Sequence, residues 1–94
     1  MTQTTRILTV DDSPSMRALL NHALSTQGFE VAQAEDGIAA LDWLALNEVD
    51  VVITDINMPR MDGFGVIDAI RGGSVNRTVP ILVLTTESAA ELKN

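Results

Sequence analysis

The sequence predicts an α/β fold, a doubly wound parallel sheet, on three observations. Strand-like and helix-like segments alternate along all 94 residues, with no linker, repeat or low-complexity tract between them. The strand-like runs are short and rich in β-branched residues, and "PILVL" at 80–84 is apolar throughout, as a parallel strand covered on both faces should be. Acidic residues follow directly after two of these runs, at the strand ends where such a sheet opens its binding crevice.

The elements follow in order. Ile7-Leu8-Thr9-Val10 reads as the first strand, stopped by Asp11-Asp12. Ser13-Pro14 supplies a helix cap with proline at the first helical position. Met16, Leu19, Leu20, Ala23 and Leu24 then recur on one helical face, and Gly28 is expected at the position just past the helix end. Phe29 to Ala34 predicts a second strand, and Asp36-Gly37 opens a second helix with Ile38, Leu41, Leu44 and Ala45 as its buried stripe. Val49 to Thr54 is the third strand. Asp62-Gly63 starts a third helix that turns Val66, Ile67 and Ile70 inward and closes at Gly72-Gly73. After "SVNRTV", Pro80 to Leu84 forms the fourth strand. Ser88 and Glu91 have capping-box spacing for a further helix, with less than two turns of chain before Asn94. The expectation is a single domain over 1–94, cut short near the start of a fourth helix.

Bulk properties narrow the function. A composition 46% hydrophobic and 20% charged is that of a globular domain. The net charge of −7 repels phosphate backbones and argues against direct nucleic-acid binding. No apolar run approaches the roughly 18 residues of a membrane span, so neither membrane insertion nor a signal peptide is expected. The absence of cysteine excludes disulfides and thiolate metal sites and suits a cytoplasmic location.

The acids at the strand ends carry the chemistry. If strands one and three are neighbours, about 4.8 Å apart, then Asp11, Asp12 and Asp55 converge in one pocket. Carboxylates that close raise one another's pKa values or require a cation. Oxygen-only donors completed by water suit Mg²⁺ better than a full Ca²⁺ cage. With the repulsion offset, Asp55 stays ionised and can accept a phosphoryl group as a nucleophile. For any one of these acids alone, a helix-capping role stays open; Asp36 and Asp62, each followed by glycine, are the better caps. An EF-hand starting at Asp55 fails, because Pro59, Arg60 and Val66 fall on ligand or turn positions of that loop. A phosphatase of the haloacid-dehalogenase kind needs a second Asp as general acid where this chain has Asn57.

"ILTVDDSPSMR", "VVITDINMPRMDGFG" and "VPILVLTTES" together resemble the receiver domain of two-component response regulators, especially the single-domain, chemotaxis, CheY-like group, from Arg6 to about Glu91. The resemblance implies a flavodoxin-like sheet of strand order 2-1-3-4. It implies a phosphoryl group taken from a CheA-like histidine kinase or from acetyl phosphate, and a downstream protein target. In that likeness Asp55 is the phosphoacceptor and Asp12 a direct Mg²⁺ ligand. Asp11 acts on the metal through water, and Asn57 offers its backbone carbonyl. Thr85 resembles the hydroxyl that moves to the phosphoryl group, and Thr86 borders it. Such a protein modifies itself and relays a state, so it is not a turnover enzyme.

Departures from the family matter equally. Its members continue through a fifth strand that ends in a lysine contacting the phosphoryl group and carries an aromatic switch residue. Here the one lysine is Lys93, and there is no tyrosine. Weak or slow phosphorylation is the expectation. An unpaired, apolar fourth strand further predicts a homo-oligomer. The competing expectation is a receiver fragment that associates or folds as a module without phosphorelay activity. Of the remaining residues, His22 is expected to have a surface or half-buried structural role and Trp43 to pack or form an exposed patch. Met16, Met58 and Met61 are expected to pack, and Arg71 and Arg77 to be solvated charges. Arg60 is a less favoured contact for a partner or phosphodonor.

Overall fold

The architecture is that of a computed structural model, which describes residues 4–56, 58, 61–73 and 75–84. Strands β1 (Arg6–Val10), β2 (Glu30–Ala34), β3 (Val51–Asp55) and β4 (Ile81–Leu84) alternate with helices α1 (Pro14–Ser25), α2 (Gly37–Leu44) and α3 (Gly63–Gly72). The strands form one parallel sheet in the order β2-β1-β3-β4, as expected. Helices α2 and α3 pack side by side on one face, and α1 lies against β1 and β2 on the other. Residues 85–94, which include the expected start of a fourth helix, lie outside the described residues.

Side-chain alternation along the strands sets the two faces. Leu8 and Val10 of β1, with Val52 of β3, join Ala40, Leu44, Val66 and Ile70 in the core under α2 and α3. Ile7 and Ile53 are also buried, but outside that cluster, as residues of the opposite face.

All three helices start as the sequence predicts. The Ser13 side chain accepts from the Met16 amide, Asp36 from Ala39 and Asp62 from Gly65, so each satisfies an amide that the first turn leaves without a partner. Pro14 holds the first position of α1. The far end of α1 agrees with the expectation. Regular α-helix runs to Ser25, and the amide of Gly28, at φ +91, donates to the Ser25 carbonyl from the left-handed closing position. There the amide of Phe29 turns back to the Leu24 carbonyl, so Phe29 closes the helix instead of opening β2.

The buried stripes are narrower than the periodicity suggests. In α1 no residue is fully buried: Met16, Leu20 and Leu24 are half-buried, while Leu19 is 61% exposed. This helix rests on two strands, and that contact covers the i, i+4, i+8 line but not its i+3 neighbours. In α2 the stripe is Gly37, Ala40 and Leu44, with Leu41 half-buried; Ile38 and Ala45 face outward. The rotation follows from Gly37, where an added Cβ would stand 2.8 Å from Val66 of α3 and 3.0 Å from Met61. Close approach at glycine turns that face, rather than the Ile38 face, toward α3. The stripe of α3 agrees with expectation, with Val66 and Ile70 buried and Ile67 half-buried. Strand β4 is not covered on both sides among the described residues, since Leu82 is 57% exposed.

Candidate functional site

Parallel register builds the site. Val10 pairs with Thr54, so Asp11, one residue past β1, stands beside Asp55 at the end of β3. Asp12 follows in the turn before α1. One carboxylate oxygen from each of Asp11, Asp12 and Asp55 lies within 4.8 Å of the others. Asp11 and Asp55 are buried and Asp12 is exposed, so the cluster opens to solvent on one side.

The backbone around Asp55 is pinned from several directions. Asp55 pairs with Leu84 across the β3–β4 ladder, and the Ile56 amide donates to the Leu84 carbonyl at 3.3 Å. The Gly63 amide donates to the Ile56 carbonyl at 2.9 Å, closing the loop back onto the strand tip. That closure requires glycine: a Cβ at position 63 would sit 2.6 Å from the Asp55 carbonyl oxygen and 3.0 Å from the Ile56 Cα. The buried Thr54 hydroxyl donates to the Asp55 carbonyl at 3.1 Å. A carboxylate held this way presents its oxygens in one geometry.

Asp11 is held as firmly. Its amide donates to the Ala34 carbonyl at 3.1 Å, and its Oδ1 accepts from the Ser13 amide at 2.8 Å. Nη1 of Arg17 donates to its carbonyl at 2.6 Å. Its Oδ2 is buried with no hydrogen-bond partner among the described residues. Burial pushes the Asp11 carboxyl above its ordinary value, and the charges of Asp55 and Asp12 push the same way, against the Ser13 amide and Arg17. An orphaned carboxylate oxygen beside two further carboxylates fits a cation. A set made only of hard oxygens, with one side open to water, fits Mg²⁺.

The family model of the response regulator receiver domain matches residues 7–94. This chain belongs to the receiver domain family. The receiver superposes on the chemotaxis response regulator CheY4 of Vibrio cholerae with a TM-score of 0.87 and 43% identity, covering 97% of this chain and 76% of that one. It also matches the receiver domain of the sensor histidine kinase PA1611 from Pseudomonas aeruginosa (TM-score 0.83, 28% identity, 95% of this chain and 75% of that one), which is described with magnesium coordinated in its active-site cleft. A curated relative, the sensor histidine kinase RcsC of Escherichia coli, is 40% identical over 87 residues. That match takes in 93% of this chain and spans only 9% of RcsC.

The receiver's sequence-predicted site residues separate into two groups. Asp11, Asp12 and Asp55 are brought together as expected. Asn57, Thr85 and Thr86, with Arg60, lie outside the described residues. Asp36 and Asp62 cap helices, as the sequence predicts, and take no part in the cluster. Met58 is buried in the core, and Met61 and Trp43 pack against it; His22 is exposed. Arg71, expected as a solvated charge, instead donates through Nη1 to the carbonyls of Arg77 and Val79 and ties down the loop before β4. Sequence reasoning missed Ser13 and Arg17 as partners of Asp11. The available signal was a charged residue at position 17, on the half-buried side of α1 next to the Met16 line.

Among the described residues, no helix is long and apolar enough to cross a membrane.

Proposed function

We propose that this receiver takes a phosphoryl group onto Asp55 from the phosphohistidine of a histidine kinase, with Mg²⁺ held by Asp11, Asp12, Asp55 and the Asn57 carbonyl. The observation that carries this reading is the convergence of three carboxylates, one of them Asp11 with a buried oxygen that has no partner among the described residues. Bound Mg²⁺ supplies positive charge that neutralises the transferring phosphoryl oxygens and the acid cluster. Asp55 acts as the nucleophile: its carboxylate oxygen forms the new P–O bond as the P–N bond to the donor imidazole breaks, and that nitrogen leaves with the electron pair. Asp12, exposed at the mouth, leads the ligand set toward solvent, and Asp11 acts on the metal through water from behind. Thr85 follows Leu84 at the end of β4, the strand whose Leu84 pairs with Asp55, and its hydroxyl is assigned to the phosphoryl oxygens.

A kinase partner agrees with RcsC, a sensor histidine kinase that contains a matching segment. The output partner is proposed to be a protein. The exposed Leu82 on β4 favours association with a second copy of this chain at high concentration, which light scattering reads directly.

The deciding experiment mixes the 94-residue chain with Mg²⁺ and acetyl phosphate and weighs the intact protein over time. Slow gain of one phosphoryl group, abolished in D55N and without Mg²⁺, is the expected result. Slowness follows from Lys93 being the one lysine of the chain. No gain over hours would favour the competing module without phosphorelay activity, and rapid stoichiometric gain would contradict the claim of slowness.

A further inference from the structure

We propose that Arg17 is a positioning residue for the magnesium site, acting through Asp11 rather than on the ion, an inference that rests on the metal-binding reading above. Arg17 lies in the first turn and a half of α1, half-buried, and its Nη1 reaches back to the Asp11 carbonyl at 2.6 Å. That carbonyl belongs to the peptide plane joining Asp11 to Asp12. Fixing it therefore fixes the orientation of both acids of the pair. The other anchors on Asp11, the Ala34 carbonyl and the Ser13 amide, hold its amide and Oδ1. The Ser13 bond spans Asp12 and restrains the 11–12 link from the side-chain side, but it leaves the Asp11 carbonyl unheld. Arg17 adds the second restraint, at that carbonyl, from a helix whose own start is set by the Ser13 cap.

Two properties of Arg17 act on cation binding with opposite signs. Its charge, which opposes the upward push on the Asp11 carboxyl, also repels a divalent cation, so removing the charge alone tightens binding. Its hydrogen bond presets the acid pair, so removing the anchor weakens binding, since groups that orient metal ligands are typically worth 10–100-fold in affinity. The sign of the change thus separates positioning from electrostatics. Arg17 lines a groove together with Ala39 and Trp43, and methionine there keeps an unbranched side chain while losing both charge and donor.

The experiment titrates wild type, Arg17→Met and Arg17→Lys with MgCl₂ by calorimetry, with metal-free thermal melting as the structural control. Expected are Mg²⁺ binding about 10-fold weaker in R17M, recovery close to wild type in R17K, and cooperative metal-free melting in both, lowered in R17M only by the one hydrogen bond lost. Equal or tighter binding in R17M overturns the proposal. If R17M does not fold, Arg17→Ala, a good helix former, is read by the same criteria. Failure of wild type itself to bind Mg²⁺ overturns the metal-site reading and this inference with it, and is distinguished from failure of the inference alone by the wild-type titration.

Discussion

At the amino ends of the strands, charged and polar groups find partners. Arg6 pairs with Glu30 at 2.9 Å, its amide meets Asp50 Oδ2 at 2.8 Å, and its Nη1 meets the Glu48 carbonyl. Nearby, buried Asn76 accepts from the Val49 amide and donates to the Leu44 and Asn47 carbonyls, stitching the end of α2 to the loop before β4. At the carboxyl ends of the same strands, three acids crowd together and one buried oxygen has no partner among the described residues. The first end is closed for stability. The second is a cluster of like charges, which the proposed function fills with a cation and a phosphoryl group, and the sheet between the two ends keeps it in place.

Breaking the closed end has the largest expected effect. Asn76→Ala strips three hydrogen bonds and leaves buried backbone groups unpaired, at a cost of about 3 kcal/mol. Urea unfolding reads this as a lower midpoint. Gly63→Ala comes next, because its methyl group collides with the Asp55 carbonyl. A loss of about 2 kcal/mol accompanies sharply reduced phosphorylation by acetyl phosphate, which intact mass measures.

Asp11→Asn moves stability in the other direction. It removes a buried charge from a like-charged cluster, so the metal-free protein gains about 1 kcal/mol, read as a higher melting temperature, while stabilisation by Mg²⁺ diminishes. The pH dependence follows from the raised Asp11 pKa. A carboxyl whose folded pKa lies above its unfolded value binds more protons when folded, so its contribution worsens as pH rises between the two. The advantage of D11N over wild type should therefore be full above the raised value and vanish as pH falls through it toward 3.8. A gap that persists unchanged into acid would remove Asp11 as its source. The smallest effect is at the exposed Arg6–Glu30 pair: Glu30→Gln should cost about 0–1 kcal/mol and respond to salt.

Local chemistry made much of this legible in the sequence. Ser13, Asp36 and Asp62 announce helix starts because a cap acts on amides only two or three residues away. The acids after the first and third strands announce a site, because a doubly wound sheet binds at its strand ends. What stayed illegible depends on distant partners. Leu19 and Leu20 are equally good members of a helical stripe, and only the strands beneath α1 decide that Leu20 is covered and Leu19 is not. Ile38 lost its expected place because two elements approach closely at Gly37. Asn76 and Arg17 bond to backbone carbonyls, which carry no side-chain signature in the sequence.

The sequence by itself determined the order and kind of the elements, their caps, and the placing of acids at strand tips, since each rests on interactions within a few residues. The tertiary structure alone decided that Asp11, Asp12 and Asp55 share one pocket and that an oxygen of Asp11 has no partner there among the described residues. Strand order and register bring together residues some 44 positions apart, and burial takes Asp11 and Asp55 out of solvent while Asp12 stays exposed.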